Sequence, residues 1–202
     1  MIRSCQCREP HARKRIVLTG GPGAGKTAVL ELVHQLTCEH VVVLPEAASL
    51  LFRGGFPRGP STGERAATQR AIFHVQRELE ASADAKDHAA IQLCDRGTVD
   101  GSAYWPGPDT IWSAIGVTRE SEIARYDAVI HLRTPTAAAY NHANPLRIET
   151  AAEAARIDDK IAEAWRGHPH RIVIDSTTDF MDKAKRAVAV VIDHLPPCCR
   201  GA

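Results

Sequence analysis

The sequence predicts an α/β fold, a five-stranded parallel sheet covered by helices on both faces. Two observations carry that reading. Five short, nearly continuous apolar runs alternate with segments of helical periodicity from end to end. A glycine-rich turn, Gly20-Gly21-Pro22-Gly23-Ala24-Gly25-Lys26-Thr27, stands between the first run and the first amphipathic segment. That turn fits G-x-x-x-x-G-K-[ST] with a strand before it and a helix after it, the context in which such a loop wraps phosphate groups.

The elements follow in order. Arg15 to Thr19 is the first strand, and Val29, Leu32, Val33 and Leu36 mark the inner face of the helix after the glycine turn. Val41 to Leu44 is the second strand, stopped by Pro45. A loop rich in Gly, Pro and Arg runs from Arg53 to Gly63, and Glu64 to Lys86 reads as a long helix with Ile72, Val75 and Leu79 inward. Ala89 to Cys94 is the third strand, Thr98 to Glu122 is irregular or short-helical, and Asp127 to Leu132 is the fourth strand. Arg133 to Arg147, with Pro135 and Pro145, reads as a lid loop. Thr150 to Trp165 is a helix with Ala154, Ile157, Ile161 and Ala164 inward. Arg171 to Asp175 is the fifth strand. The last helix places Met181, Ala184, Val188, Val191 and Leu195 on one stripe and is ended by Pro196-Pro197. The expected organisation is a flexible leader over 1–14, one domain over 15–195 and a tail over 196–202.

Composition narrows the function classes. The 202 residues are 24% charged and 44% apolar with a net charge of +1, ordinary for a globular protein and without the basic excess of a nucleic-acid binder. No apolar run has the length of a membrane span, and the polar, basic start has no apolar signal core. A cytoplasmic protein with neither nucleic acid nor membrane as partner is the expectation, its oligomeric state open. Six cysteines lie at 5, 7, 38, 94, 198 and 199. Two pairs fall near the ends, in segments expected to fray, and free thiols are expected. Cys5-x-Cys7 with His11 has the residue types of a metal site, but the spacing matches no established zinc pattern and lacks a second close pair.

The chemistry is read from the glycine turn outward. Gly20, Gly21, Gly23, Ala24, Gly25, Lys26, Thr27 and Ala28 are the nucleotide-binding candidates: backbone N–H groups cradle phosphate oxygens, Lys26 reaches the β/γ-phosphates and the Thr27 hydroxyl ligates Mg²⁺. In a parallel sheet, ligands bind beyond the C-terminal ends of the strands, so Glu46, Asp95-Arg96 and Arg133 should converge on the same crevice. Asp95 is the candidate metal carboxylate opposite Thr27, or else a helix cap. Arg96 points toward phosphate or acceptor, or else forms a structural ion pair. Glu46 accepts a proton from an attacking hydroxyl, or orients water, or merely opens a helix. Arg133 and Arg147 bracket the lid loop and supply guanidinium groups to neutralise transferring charge, with Arg147 preferred, or are solvated surface charges. Arg53, Arg58, Gln69 and Phe73, with Glu46 and Arg96, are the candidates for holding an acceptor, although a stripe such as Gln69-Phe73 is also an ordinary helix surface.

Taken in order, the glycine turn, Pro45-Glu46-Ala47-Ala48, Gln69-Arg70-Ala71-Ile72-Phe73, Asp95-Arg96-Gly97 and Arg147-Ile148-Glu149 resemble the AAA-like P-loop ATPase/kinase domain family. That family includes the ribosylnicotinamide kinase domain of bacterial NAD-metabolism proteins. The resemblance runs from about Arg15 to Leu195. It implies a kinase-like P-loop fold with strand order 2-3-1-4-5, Glu46 and Asp95 beside the γ-phosphate and Arg147 near the lid. Related deoxynucleoside kinases carry Glu-Arg-Ser after the third strand where this chain has Asp-Arg-Gly. The expected activity is transfer of the γ-phosphate of ATP·Mg²⁺ to a hydroxyl of a small, nucleoside-like acceptor. A partner-coupled ATPase and a nucleotide-binding regulatory module are the other readings. A GTPase is disfavoured because no Asn-Lys-x-Asp motif follows the fourth strand.

Overall fold

The strands are β1 (Lys14–Thr19), β2 (Val41–Leu44), β3 (Ile91–Asp95), β4 (Ala128–Leu132) and β5 (Arg171–Ile174). All pair in parallel, in the order β2-β3-β1-β4-β5. The computed structural model describes residues 5–86, 88–135, 150–176 and 179–200. Arg147 and most of the expected lid loop lie outside the described residues.

The helices are α1 (Lys26–Leu36), α2 (Ala47–Arg53), α3 (Thr62–Asp84), α4 (Ile111–Ile115), α5 (Arg119–Ile123), α6 (Ala151–Ala164), α7 (Phe180–His194) and α8 (Pro197–Arg200), with a 3-10 helix over Thr98–Tyr104. Because side chains alternate across a strand, β1 feeds both cores. Ile16 and Leu18 pack with Val29 and Val33 of α1 and with Ala184, Val188 and Val191 of α7. Val17 faces the other way, toward Val99, Ile161 and Trp165. Ile16, Val17 and Leu18 are wholly buried, which explains why β1 reads as a continuous apolar run. Helices α3 and α6 start on capping boxes, Ser61 with Glu64 for α3 and Thr150 with Glu153 for α6.

Three inward faces differ from the periodicity reading, each for a polar reason. On α3 the buried stripe is Thr68, Phe73, Gln76, Glu80 and Ala83, whereas Ile72, Val75 and Leu79 are half-buried. The rotation is stabilised by a closed polar network: Glu80 accepts from Tyr126 Oη at 2.8 Å and Gln76 Nε2 at 3.0 Å and pairs with Arg125. Alongside it, Glu122 takes Arg77 at 2.9 Å and the Thr98 hydroxyl at 2.8 Å. Buried carboxylates with this many partners are tolerated where an unpaired one would not be. On α6, Asp158 is buried and Ile157 only half-buried; on α7, Lys183 is buried while Met181 is 50% exposed. Nor is α1 buried as read: Leu30 is inward and Leu36 is 46% exposed. Pro197, expected only to end the last helix, opens the short helix α8, where its missing N–H costs nothing.

Candidate phosphate-binding site

Strand register builds the site. Leu18 lies beside Asp95 on one flank and Ile130 on the other, so β1, β3 and β4 end together and the glycine turn leaves from the middle. Gly20, Gly23 and Gly25 have φ of 136°, 78° and 92°, which side-chain-bearing residues rarely adopt. Space adds a second constraint: a Cβ on Gly20 would sit 2.0 Å from the Leu132 carbonyl oxygen, and one on Gly25 would sit 2.7 Å from the Phe180 ring. The loop is thus wedged between β4 and α7, with its amides curled at the start of α1.

Lys26 folds back on the loop, its Nζ donating to the carbonyls of Gly20 at 3.0 Å and Gly21 at 3.2 Å. Burial pulls its pKa down to about 8, with Arg96 adding to the effect and Asp95 and Glu46 opposing it. Thr27 and Ala28 are exposed on the first turn of α1, leaving the Thr27 hydroxyl accessible. At the end of β3, Asp95 Oδ1 is buried without a hydrogen-bond partner among the described residues. Burial raises the Asp95 pKa to about 6, and Glu46 adds to the rise against the opposing pull of Lys26. An orphaned carboxylate oxygen within electrostatic reach of a lysine, together with an exposed threonine at the start of α1, supplies hard oxygen donors of the kind Mg²⁺ takes, so the residues fit the metal that the sequence implies.

Arg96 takes the left-handed conformation, φ 70°, alone among the described non-glycine residues. Its Nε donates to Glu46 Oε1 at 2.8 Å and its Nη1 to Asp100 Oδ1 at 3.0 Å. Asp100 is held in turn by Thr19, by the Gly97 N–H at 3.1 Å and by Trp165 Nε1 at 3.0 Å. Of the two readings of Arg96, the ion pair is therefore present. Glu46 also accepts from the Ser49 hydroxyl at 2.5 Å. Burial would raise its pKa, but Arg96, Ser49 and Lys26 together bring it below the usual carboxylate value. Lys26, Glu46, Asp95 and Arg96 are within electrostatic reach of one another.

The acceptor candidates divide. Gln69 is half-buried and turned toward Gly101 of the 3-10 helix, and Phe73 is 4% exposed. Arg53 and Arg58 are exposed, with the Arg58 guanidinium over the Phe52 ring at 3.8 Å. Arg133, a lid candidate, pairs with Asp158 at 3.1 Å and Asp159 at 2.6 Å.

Asp158 is the site residue that periodicity concealed. Its Oδ1 accepts from the Gly21 N–H at 2.9 Å and lies 2.8 Å from His131 Nε2, while its Oδ2 accepts from the Thr134 N–H at 3.1 Å. Burial opposes its charge, yet His131 and the two amides lower its pKa. It ties the back of the glycine turn to α6 and to the start of the segment after β4. The available signal was a charged residue beside the inward positions of an amphipathic helix, which looks the same as a solvated one. A separate concavity of about 440 Å³, lined by Ser102, Trp105, Arg119, Lys160, Glu163 and Arg166 among others, includes none of the residues gathered at the glycine turn.

A parallel sheet in this order, with a GxxxxGKT turn at the end of its central strand and a buried carboxylate at the end of the neighbouring one, defines a P-loop NTPase-type nucleotide-binding domain. The family described as AAA domain matches residues 15–183, and the chain belongs to that family. Comparison with curated proteins gives no significant match.

Proposed function

We propose that this protein is a P-loop phosphotransferase that moves the γ-phosphoryl group of ATP to a hydroxyl of a small acceptor, nucleoside-like as in the ribosylnicotinamide kinase domains it resembles. The observation that carries the reading is the second carboxylate. Asp95 supplies the metal-side oxygen, and Glu46 stands beside the same lysine, oriented by Arg96 and Ser49. Hydrolysis or binding alone makes less use of the half-buried Gln69 amide and the exposed Arg53 and Arg58.

In this scheme the glycine-turn amides and α1's first N–H groups bind the β- and γ-phosphates, and Lys26 leaves the Gly20 and Gly21 carbonyls to reach them. Thr27 and Asp95 would hold Mg²⁺, which when bound neutralises charge on the phosphate oxygens. Glu46 accepts the proton of the attacking hydroxyl at a carboxylate oxygen. Its lowered pKa makes it a weak base, so it acts by positioning and by late proton acceptance, as suits a loose phosphoryl transition state. Arg96, fixed by Asp100, keeps Glu46 in place.

The test is ATP consumption by the purified protein with Mg²⁺, first alone and then with pooled nucleosides, vitamins and sugars. Consumption that requires one pool supports the proposal, and subdividing that pool names the acceptor. Phosphate release at the same rate without any acceptor replaces it with an ATPase.

A further inference from the structure

At the opposite end of α1 from the glycine turn, residues from three separate stretches of chain meet. Cys5, Cys38, His40 and Cys199 are all buried, with one ligand atom from each lying within 4.8 Å of the others. Cys38 Sγ is 3.3 Å from Cys199 Sγ, and His40 Nδ1 is 3.4 Å from each of those two sulfurs. The expectation that the outlying cysteines fray does not hold: Cys5 is 8% exposed and Cys199 6%, both within the core that includes α1 and α7.

We propose that Cys5, Cys38, His40 and Cys199 form a tetrahedral Zn²⁺ site that fastens the segment around Cys5 and helix α8 to the α1–β2 turn. Three thiolates and one imidazole are a borderline-soft set that suits zinc and lacks the oxygens calcium or magnesium need. Zinc bonds of about 2.3 Å to sulfur and about 2.0–2.1 Å to nitrogen imply tetrahedral edges of about 3.8 Å and about 3.6 Å. The observed spacings of 3.3 and 3.4 Å are within about half an ångström of those edges. A disulfide, with sulfurs at about 2.05 Å, is not what these contacts describe, and all six cysteines are free thiols.

Ordinary core packing explains a buried thiol, since cysteine is a small hydrophobe. It does not explain a histidine 2% exposed whose Nδ1 faces two sulfurs. Four protein ligands close the coordination sphere, which makes the site structural rather than catalytic. Its distance from the phosphate site agrees, because the 11 residues of α1 span about 16 Å. Cys5 and Cys199 both lie outside residues 15–183, so the site is an addition to the family's domain. A neighbouring set, Cys7, His11 and Cys198, offers only three ligands and is half-buried. On binding, each of the three thiols of the four-ligand site gives its proton to solvent and becomes a thiolate ligand.

The decisive measurement is the metal content of the full chain expressed in zinc-containing medium and purified without chelator. About one tightly held zinc per chain is expected, lost from Cys38→Ser and Cys199→Ser but retained in Cys7→Ser and His11→Ala. Where a variant fails to fold, the native protein still decides: exchange of its metal for Co²⁺ should give the intense visible bands of tetrahedral thiolate coordination. Protein free of bound metal, a Cys38–Cys199 disulfide found by mass spectrometry, a weak octahedral cobalt spectrum, or zinc that is lost with Cys7 and not with Cys38 would each overturn the proposal.

Discussion

The two ends of helix α1 solve opposite recognition problems. Its N-terminal end is built from backbone: glycines at positive φ, beside which stand a lysine and two carboxylates, one of them, Asp95, with an oxygen unpartnered among the described residues. Its C-terminal end is built from side chains, three sulfurs and one imidazole brought together from positions as far apart in the chain as Cys5 and Cys199. The first is local in sequence because a phosphate cradle is a turn conformation. The second is nonlocal because metal-type clusters need only side-chain tips to converge. One helix thus joins an end made to hold hard oxygen anions to an end with the donors of a softer, borderline metal.

The sharpest way to separate the ends is Lys26→Ala. It should reduce ATP turnover by at least about a thousandfold, on the order of 4 kcal/mol, through loss of phosphate neutralisation. Metal content and thermal unfolding should stay near those of the native protein. If Lys26→Ala also released the zinc, the two ends would be one cooperative unit and the contrast would fail.

Asp158→Ala comes next, with an expected loss of about 3 kcal/mol in denaturant unfolding, because it leaves His131, Arg133 and the Gly21 and Thr134 amides without their common acceptor. The change should also weaken ATP binding, since the Gly21 amide loses its anchor. Unchanged ATP affinity in a destabilised protein would show that Asp158 supports the fold alone.

These two residues also show what the sequence made legible. Lys26 and its glycines were readable because eight consecutive residues carry the whole conformational requirement, and Asp95 was readable because it ends an apolar strand. The strand count and layer arrangement followed from runs such as Ile16-Val17-Leu18, buried on both sides. Asp158, Glu80 and Lys183 escaped because burial of a charge depends on partners supplied by other elements, and periodicity counts charges as outward. The cysteines escaped for the same reason at longer range: Cys5 and Cys199 gain meaning only when the chain between them has folded.

Glu46→Gln tests the division of labour inside the phosphate end. Proton acceptance and alignment typically contribute about 10²-fold, or about 2.7 kcal/mol, so kcat should fall by roughly that factor with ATP affinity little changed. Normal turnover would remove Glu46 from the chemistry and leave it as the partner of Arg96.

The smallest effect is the pH profile, and its two limbs belong to different residues. Lys26, with a pKa of about 8, carries the charge that attracts triphosphate only below that value, so kcat/KM for ATP should fall above pH ~8, by about tenfold per unit. Once phosphate is bound, the lysine's proton is stabilised, so the same limb should move to higher pH in kcat. Asp95, with a pKa of about 6, offers a charged oxygen to Mg²⁺ only above that value, and turnover at limiting Mg²⁺ should fall below pH ~6. Glu46 titrates lower and stays ionised across this window, so it cannot supply the acid limb. Titrating with more Mg²⁺ should therefore push the acid limb downward, because metal competes with protons for Asp95. An acid limb that ignores Mg²⁺ would place the metal on other residues and leave Asp95 as a half-buried acid at the end of β3.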